Sequence, residues 1–419
     1  MSELQTLRSL TADGRLILLS RSLRLFAFGA ISVILVLYFA ASGWSEVEIG
    51  RLLALTMFGD AAVTLWVTLN ADRIGRVRML QLSALLMVLV GILLPSTQNG
   101  WLVALLVFVG AISLNGGEVG PFLAIEQAGL TNTLNSRNRT TVIAWYTLCG
   151  ALATAIGALV SGVLAQFLRS IGYQELASYR AIFFLYAICG VLLWLLFRNL
   201  SSAIETESSP SDKVTLQVKL ASRFGLHKSR SIVLGLSALF MIDTFGSGLV
   251  VQSYLSHWLH EKFQIDTGVI GSIFFGMSFF AAFSALVAGR LALRIGLINT
   301  MVWTHIPANF LLIALPLAPI LPIAILILLL RGCLSQMDIP ARQSYLMAVV
   351  DPDERSAAGG VTGLARSIAS ALSPPITGML FAAGWLSTPF FIAGGLKIIY
   401  DLALWRSFGA IKPPEEKVL

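Results

Sequence analysis

Charged residues are scarce in this sequence. Only 12% of its 419 residues are charged and 56% are hydrophobic, whereas about a quarter of the residues in soluble globular domains are charged. The mean hydropathy is +0.81. This composition excludes a soluble domain and predicts an integral protein of the lipid bilayer.

Cysteine is also rare. Cys149, Cys189 and Cys333 all lie in apolar runs, which disfavours a disulfide framework and is typical of small packed side chains. A thiol site for a soft metal or metalloid is the alternative. His257 and His260 are expected to be exposed at the outer end of the seventh helix rather than to bind a metal.

Sequence signals for two further classes of protein, ATP-driven pumps and enzymes, are missing. There is no P-loop to hold ATP phosphates, which disfavours an ATP-driven pump. No nucleophile–base or metal-ligand constellation is present, so we expect neither an enzyme nor a cofactor. No small-residue cleavage site follows the first apolar run, which predicts a permanent span rather than a secretory signal.

Positive charge is in excess, with a net charge of +7 and a pI near 9.5. In a membrane protein, Lys and Arg collect in the loops that face the cytoplasm and set the orientation. We therefore interpret this charge as topology and expect no nucleic-acid partner.

Apolar runs separated by charged or Gly/Pro-bearing turns predict twelve membrane helices. A span needs about 20 apolar residues to cross about 30 Å of hydrocarbon. The predicted helices are Leu18–Ala41, Ile49–Thr68, Leu80–Leu94, Trp101–Ile125, Val142–Leu168, Ala181–Phe197, Ser231–Leu255, Val269–Leu291, Leu297–Leu317, Ile320–Met337, Ala357–Ala383 and Pro389–Leu404.

A polar stretch separates the first six helices from the last six. Residues 199–230 are composed like a linker. The sequence thus predicts an N-terminal segment at 1–17, six-helix bundles at 18–198 and 231–405, and a tail at 406–419. Lys and Arg collect in alternate connections that include both termini and the linker, so these are expected in the cytoplasm of a plasma (cell inner) membrane.

The two sets of helices are related by an internal repeat. Residues 49–75 align without a gap on 270–296, a shift of 221 (270 − 49). Arg139 and Gly162 are spaced like Arg355 and Gly378, 23 residues apart in both (162 − 139 and 378 − 355). Such repeats set the architecture of transporters, and they predict two pseudo-symmetric halves.

A short charged stretch lies between the second and third helices. It fits the pattern G-x-x-x-D-[RK]-x-G-R-[RK] at Asp72, Arg73, Gly75 and Arg76. It departs from the pattern at Thr68 and Val77. With the six-plus-six helices, the central linker and the repeat, the chain resembles the major facilitator superfamily. That resemblance implies an all-α integral membrane fold of twelve transmembrane helices in two six-helix bundles.

The resemblance implies a cytoplasmic gate around this stretch. In the family the Asp contacts the cytoplasmic end of helix 11 and locks the outward-facing state. This contact is favourable because a helix N-terminus stabilises a negative charge. Helix 11 is expected to start near Arg355, so the predicted gate comprises Asp72, Arg73, Gly75, Arg76 and Arg355. Gly75 permits a tight turn. For Arg76, a purely topological role is the alternative.

Ionisable residues inside the predicted spans are functional candidates, because each costs about 2.5–3.5 kcal/mol at the bilayer centre. Asp60 lies 12 residues before Asp72 (72 − 60), roughly 18 Å into the membrane. The predicted proton-coupling or substrate residues are Asp60, Glu118, Asp243, Arg331, Asp338 and Arg366. A structural partnership with an arginine or hydroxyl is the alternative for Asp60, and a gate salt bridge for Glu118 and Asp338.

The basic candidates, Arg331 and Arg366, need negatively charged partners. Arg331 lies seven residues before Asp338, on the expected same helix face, and a lone guanidinium there needs an acid or an anionic substrate. The same holds for Arg366. Arg21 and Arg24 are expected to extend to the cytoplasmic interface.

Two predicted helices carry helix-breaking groups. Residues 115–121 of the fourth helix read Asn-Gly-Gly-Glu-Val-Gly-Pro, and residues 335–340 of the tenth read Ser-Gln-Met-Asp-Ile-Pro. Irregular helices at corresponding places in two halves point to a transporter's binding site or gate.

The resemblance favours export over uptake. Gly150, Gly157 and Gly162 partly match the G-x-x-x-G-P-x-x-G-G signature of the family's exporters, with Ala158 and Ser161 as departures. We expect a monomeric, drug:proton-antiporter-like exporter of a small organic molecule that uses protons. Uptake or uniport of an anionic metabolite, and a non-transporting membrane sensor, are the alternatives.

Replacing Asp72 by Asn tests the predicted gate. We expect Asp72→Asn to weaken the closed cytoplasmic gate and to lower transport, because the substitution removes the charge that a helix N-terminus stabilises. Uptake into proteoliposomes measures the effect. Transport equal to wild type would contradict the gate assignment.

Overall fold

The structure, a computed structural model, describes residues 11–120, 122–123, 125–126, 139–201, 227, 229–351 and 354–409. Every regular element in these ranges is helical, without a strand. The helices are α1 Ala12–Ala41, α2 Glu46–Ile74, α3 Arg76–Leu93, α4 Gly100–Val109, α5 Arg139–Ser170, α6 Glu175–Arg198, α7 Arg230–Leu249, α8 Gln252–Phe263, α9 Thr267–Ile295, α10 Leu297–Ala314, α11 Leu321–Leu334, α12 Asp338–Val349, α13 Arg355–Leu372, α14 Pro374–Ala382 and α15 Thr388–Phe408. The all-α membrane fold predicted from the sequence is confirmed.

Eight stretches of the described chain are long and apolar enough to cross a membrane, and two further apolar helices are shorter. Local signals set several helix starts. Ser45 and Glu48 form a capping box at α2, and the Asn99 side chain accepts the first backbone N–H groups of α4.

Four of the predicted helices are interrupted, two of them at the irregular stretches expected from the sequence. The fourth ends as a helix at Val109 and continues without regular structure to residue 120, so the predicted continuous span to Ile125 is wrong. Gly116 and Gly120 have φ of +69° and +75° there, a conformation that glycine adopts without strain. The tenth breaks between Leu334 and Asp338.

The tenth, seventh and eleventh helices also differ from prediction. The tenth resumes as α12 and runs to Val349, beyond its predicted end at Met337. The seventh is divided at Val250 and Val251 into α7 and α8. The eleventh is divided at Ser373, because Pro374 and Pro375 lack the N–H groups that would continue the helix.

The charged stretch after the second helix is almost entirely helical. Helix α2 extends to Ile74, and Gly75 alone separates it from α3 with a φ of +105°. Gly296, at the shift of 221 (296 − 75), separates α9 from α10 with a φ of +86°. The turn that Gly75 was predicted to permit is confirmed, and the repeat reproduces it.

The chain divides into two compact units. The first is Met1–Glu207 with Val251–Ser278, and the second is Ser208–Val250 with Phe279–Leu419. Helix α8 and the start of α9 thus pack with the first six predicted helices.

Helix α1 is the centre of the first unit. Every residue from Ala27 to Phe39 is buried, and α1 packs against α5, α6 and α8. A Cβ atom on Gly29 would overlap the carbonyl oxygen of Thr154, and one on Gly157 would overlap that of Phe26. Small residues therefore bring α1 and α5 into backbone contact, as is common between membrane helices.

In the second unit α7 is the central helix. It packs against α13 and α15, while α10 packs against α11, α12 and α15. The core cluster includes Phe240, Met301, Tyr345, Tyr400 and Leu404. It surrounds the ionisable side chains described below.

Gly157→Ala tests the close packing of α1 and α5. We expect a loss of about 1–3 kcal/mol of stability, because the added methyl group forces the helix backbones apart. The midpoint of thermal unfolding in detergent measures it. Gly100→Ala is the matched control, since its Cβ would lie 3.6 Å from the Trp44 ring in ordinary contact. Equal midpoints for the two variants would contradict the packing argument.

Candidate functional site

Asp60 lies at the midpoint of α2, 14 residues from each end (60 − 46 and 74 − 60). At a rise of 1.5 Å per residue this is about 21 Å from either end of the helix. Its carboxylate accepts hydrogen bonds from the backbone N–H of Gly120 and from the Thr64 side chain. No cation among the described residues forms an ion pair with it. Of the two partners that the structural alternative requires, the hydroxyl is thus present, and no arginine pairs with Asp60 within the described ranges.

Gly120 ends the irregular stretch after α4, residues 110–120, which we call the unwound segment. Backbone groups exposed by unwinding must find partners inside a membrane protein. Side chains from four helices supply them: Asp60 from α2, Thr154 from α5, Tyr186 from α6 and Ser253 from α8. The segment is therefore fixed by polar contacts at membrane depth, where transporter sites are commonly formed by broken helices.

The first unit contains a buried ionic cluster beside the unwound segment. Arg24, on α1, bonds Glu126 at 2.5 and 2.9 Å and Glu118 at 3.1 Å. Arg21 also pairs with Glu118, and the Tyr146 hydroxyl donates to Glu126 at 2.6 Å. Arg24 is fully buried and Arg21 is 7% exposed. The expectation that both arginines extend to the interface is wrong, because the acids hold them inside.

The second unit contains a buried ionic cluster of its own. Asp243, on α7, accepts from Lys397 of α15 at 2.7 Å and from Arg342 of α12 at 3.1 Å. Arg342 also lies 3.4 Å from Asp338, one helical turn earlier. All four side chains are buried. Two of the acids predicted from the sequence thus meet here through cations that the sequence reasoning missed.

This cluster continues along α10. His305 Nδ1 lies 2.9 Å from Asp401 Oδ1, and Asn309 donates to Asp401 Oδ2 at 2.9 Å. His305 Nε2 lies 3.9 Å from Asp243 Oδ1. The hydroxyl of Tyr400 is buried and has no hydrogen-bond partner among the described residues. We call these residues, with the four of the preceding paragraph, the second-unit cluster.

The two clusters have opposite charge arrangements. In the first cluster the cation, Arg24, lies on the first predicted helix and the acid, Glu126, lies just after the fourth. In the second cluster the acid, Asp243, lies on the seventh predicted helix and the cation, Arg342, lies on α12, where the tenth resumes. Glu126 and Arg342 are 216 residues apart (342 − 126), the shift of the second sequence repeat. At this pair of positions, Glu126 and Arg342, the sign of the charge is therefore reversed between the two halves.

Arg331 and Arg366 do not join an ion pair among the described residues. The Nε atom of Arg331 is buried without a partner, and the break after Leu334 separates Arg331 from Asp338, so the expected shared helix face is absent. Arg366 Nε donates to the Thr244 hydroxyl at 3.3 Å. Two guanidinium groups thus remain available to an anion.

The predicted gate residues are only partly described. The side chains of Asp72 and Arg73 lie outside the described residues. Gly75 forms the turn, and Arg355 is exposed at the first position of α13. The neighbouring Glu354 is buried and accepts from the backbone N–H groups of His227 and Ser229 at 2.6 and 2.9 Å. The gate role of these residues stays a prediction.

Several residues of the site were missed in the sequence. Lys397 and Asp401 are four apart in the last apolar run, and His305 lies four before Asn309, a hydrogen-bonding candidate from the sequence, in the ninth. Ionisable or amide groups one helical turn apart inside a span are themselves a signal of a buried polar face.

His257 contradicts its predicted place in an exposed loop. It is 4% exposed on α8, and its Nε2 lies 2.8 Å from Glu46 Oε1. Among the described residues, no three His, Cys, Asp or Glu side chains form a group that could hold a metal ion.

A family profile and a related protein both match most of this chain. The sequence profile described as Major Facilitator Superfamily matches residues 17–337 and 236–419. An uncharacterized membrane protein of Saccharomyces cerevisiae (strain ATCC 204508 / S288c), YJR124C, is 26% identical over 416 residues, covering 94% of this chain and 93% of its own length.

Solved transporters have a similar structure at low sequence identity. The nucleoside transporter NupG has a TM-score of 0.72 at 13% identity, covering 95% of this chain and 99% of its own. A D-xylose-proton symporter has a TM-score of 0.69 at 14% identity, with coverage of 96% and 98%. The human organic anion transporter MFSD10 (TETRAN) has a TM-score of 0.58 at 16% identity, with coverage of 94% and 98%. These likenesses concern the fold alone.

Arg24→Met tests the buried pairing in the first unit. We expect a loss of about 3–5 kcal/mol of stability, because the substitution leaves Glu126 buried without its cation. Arg24→Met with Glu126→Gln should recover part of this loss, since no unpaired charge then remains at Glu126. Unfolding midpoints of the purified protein in detergent compare the two. A single variant as stable as wild type would contradict the pairing.

Proposed function

The chain belongs to the Major Facilitator Superfamily, and on that premise we propose that it is a proton-coupled secondary transporter that exports a small organic molecule by alternating access. The protein works in the plasma membrane as a monomer, with both termini and the 199–230 linker in the cytoplasm. Asp72, Arg73, Gly75, Arg76 and Arg355 form its cytoplasmic gate.

The observation that carries this proposal is that no cation among the described residues pairs with Asp60. A charged carboxylate at the bilayer centre is costly. The contacts with Gly120 and Thr64 supply hydrogen bonds but no opposite charge. Asp60 therefore needs either a proton or a cationic group of the substrate, and alternation between the two is the basis of proton exchange.

The surroundings of Asp60 support its role in the transport cycle. Its carboxylate is bonded to the unwound segment, so a change in its charge acts directly on the break in the fourth helix. The same segment carries Glu118, which is paired with Arg21 and Arg24. Protonation of Asp60 would thus be linked to the packing of α1 through one short stretch of backbone.

The direction of transport rests on the exporter-like glycines of α5. Gly157 lies in backbone contact with α1, and Gly162 lies against Thr267 and Gly271 of the first unit. Their close packing fits a rigid helix pair that moves as one body, and their partial match to the exporter signature favours export. A D-xylose-proton symporter shares the fold, and supports proton coupling without fixing direction.

Proton-coupled uptake, or uniport, of a small anionic metabolite is the second candidate. It is favoured by Arg331 and Arg366, whose guanidinium groups have no acidic partner among the described residues. A structural neighbour is named as an organic anion transporter. A substrate carboxylate or phosphate would supply the missing negative charge.

Substrate-triggered proton movement tests the proposal. Purified protein is reconstituted in liposomes that contain a pH-sensitive dye, and nucleosides, sugars, organic anions and lipophilic cations are added in turn. We expect wild type to move protons against the substrate, and Asp60→Asn to lower the proton signal to that of protein-free liposomes, because the amide cannot carry a proton across.

Glu261→Gln is the matched control. It removes one carboxylate charge from the exposed end of α8, away from the unwound segment, and should transport like wild type. Protons that move with the substrate would indicate uptake. Substrate movement without protons would replace coupling by uniport, and neither movement would favour a membrane sensor.

A further inference from the structure

His305 lies between two carboxylates in the second unit. Its Nδ1 is 2.9 Å from Asp401 and its Nε2 is 3.9 Å from Asp243. His305 is 4% exposed, Asp243 5% and Asp401 is fully buried. Both ring nitrogens thus face an acid.

The hydrogen bonds define which nitrogen can gain a proton. Asp401 accepts from Asn309 on Oδ2 and faces His305 on Oδ1. An acceptor-only carboxylate requires an N–H on Nδ1 of His305. In the neutral ring Nε2 is then the bare nitrogen, and it is the one that points toward Asp243.

The charges around the ring leave a deficit of one positive charge. Asp243 from α7 and Asp401 and Tyr400 from α15 face the ring. Lys397 from α15, Arg342 and Asp338 from α12, and Arg366 from α13 interact with Asp243 or with its partners. Of the three carboxylates, Asp243 bonds both Lys397 and Arg342, and Asp338 lies 3.4 Å from Arg342. Asp401 forms an ion pair with neither cation among the described residues, and Arg366 donates to Thr244. One proton on His305 balances the bonded cluster.

We propose that His305, held between Asp401 and Asp243, is a proton-binding site of the second unit. Histidine is suited to this role because its charge changes within the physiological pH range. A proton on Nε2 adds a third cation to Asp243, beside Lys397 and Arg342. Binding and release of the proton therefore change how strongly α15 and α12 are held to α7.

The role of this site in transport rests on the proposed proton coupling, whereas proton binding itself does not. Lys397 and Arg342 connect Asp243 to two further helices. A change of charge on His305 is thereby transmitted to the ion pairs that join α7, α12 and α15. Asp60 belongs to the first unit and His305 to the second.

Ring-nitrogen NMR of the full-length protein in lipid nanodiscs tests the proposal without any substrate. The chain has four histidines, and His305→Gln identifies the signals of His305. We expect these signals to pass from the neutral to the protonated ring between pH 4 and 9. A ring that keeps one charge state over this range, neutral or cationic, would overturn the proposal.

Two substitutions with opposite expected effects separate proton binding from a structural role. Asp401→Asn removes a carboxylate from the ring and should lower the proton affinity of His305 at least tenfold. Lys397→Gln removes a competing cation from Asp243 and should raise the proton affinity of His305. Glu261→Gln, a control substitution in the first unit, should leave the proton affinity of His305 unchanged. A titration that is the same in wild type, Asp401→Asn and Lys397→Gln would overturn the proposal.

The outcome is independent of the transport assay. If His305 titrates as expected but no substrate moves protons, the proton site stands and the proposed function fails. If His305 does not titrate while Asp60-dependent proton movement is observed, the proposed function stands and this inference fails.

Discussion

The rest of the first unit depends on one constraint, that backbone groups buried in a membrane must have hydrogen-bond partners. The unwound segment leaves the helical pattern at residue 110, and its carbonyl and N–H groups are then satisfied by side chains from α2, α5, α6 and α8. A shift of any one of these helices exposes a backbone group. The segment therefore couples the positions of four helices, and Asp60 is the ionisable member of that set.

The pairing of buried charges is a second constraint, and the ion pairs of Arg24 and of Asp243 each join helices of one unit. Removing one member of a buried ion pair is costly, whereas an intact pair contributes little net stability. Arg24 and Glu126, and Asp243 with Lys397 and Arg342, are thus better understood as devices that fix which helices pack together than as sources of stability. Glu126 and Arg342, which correspond in the second repeat, carry opposite charges, so the two halves do not use the same ion pair.

The sequence predicted the helices, the repeat and the irregular fourth and tenth helices, because hydrophobic runs, Gly75 and the Gly/Pro clusters act through local backbone physics. It did not predict ionic partners. Whether Arg24 extends to the interface or pairs with Glu126 depends on which face of α1 packs against the rest of the unit. The sequence does not indicate that face, because a helix buried on nearly all sides has no periodic pattern of apolar and polar residues. The break before α8 was missed for a related reason, since Val250 and Val251 carry no helix-breaking signature.

The burial of Arg24 has a consequence for biosynthesis. Its acidic partner Glu126 is 102 residues later in the chain. At a synthesis rate of about 5–20 residues per second, roughly 5–20 s pass before that acid emerges from the ribosome. During this interval α1 is an apolar segment carrying uncompensated arginines, which disfavour the hydrocarbon core. Helix α1 must therefore wait at the insertion machinery or the interface, and its final insertion is set by the arrival of later helices.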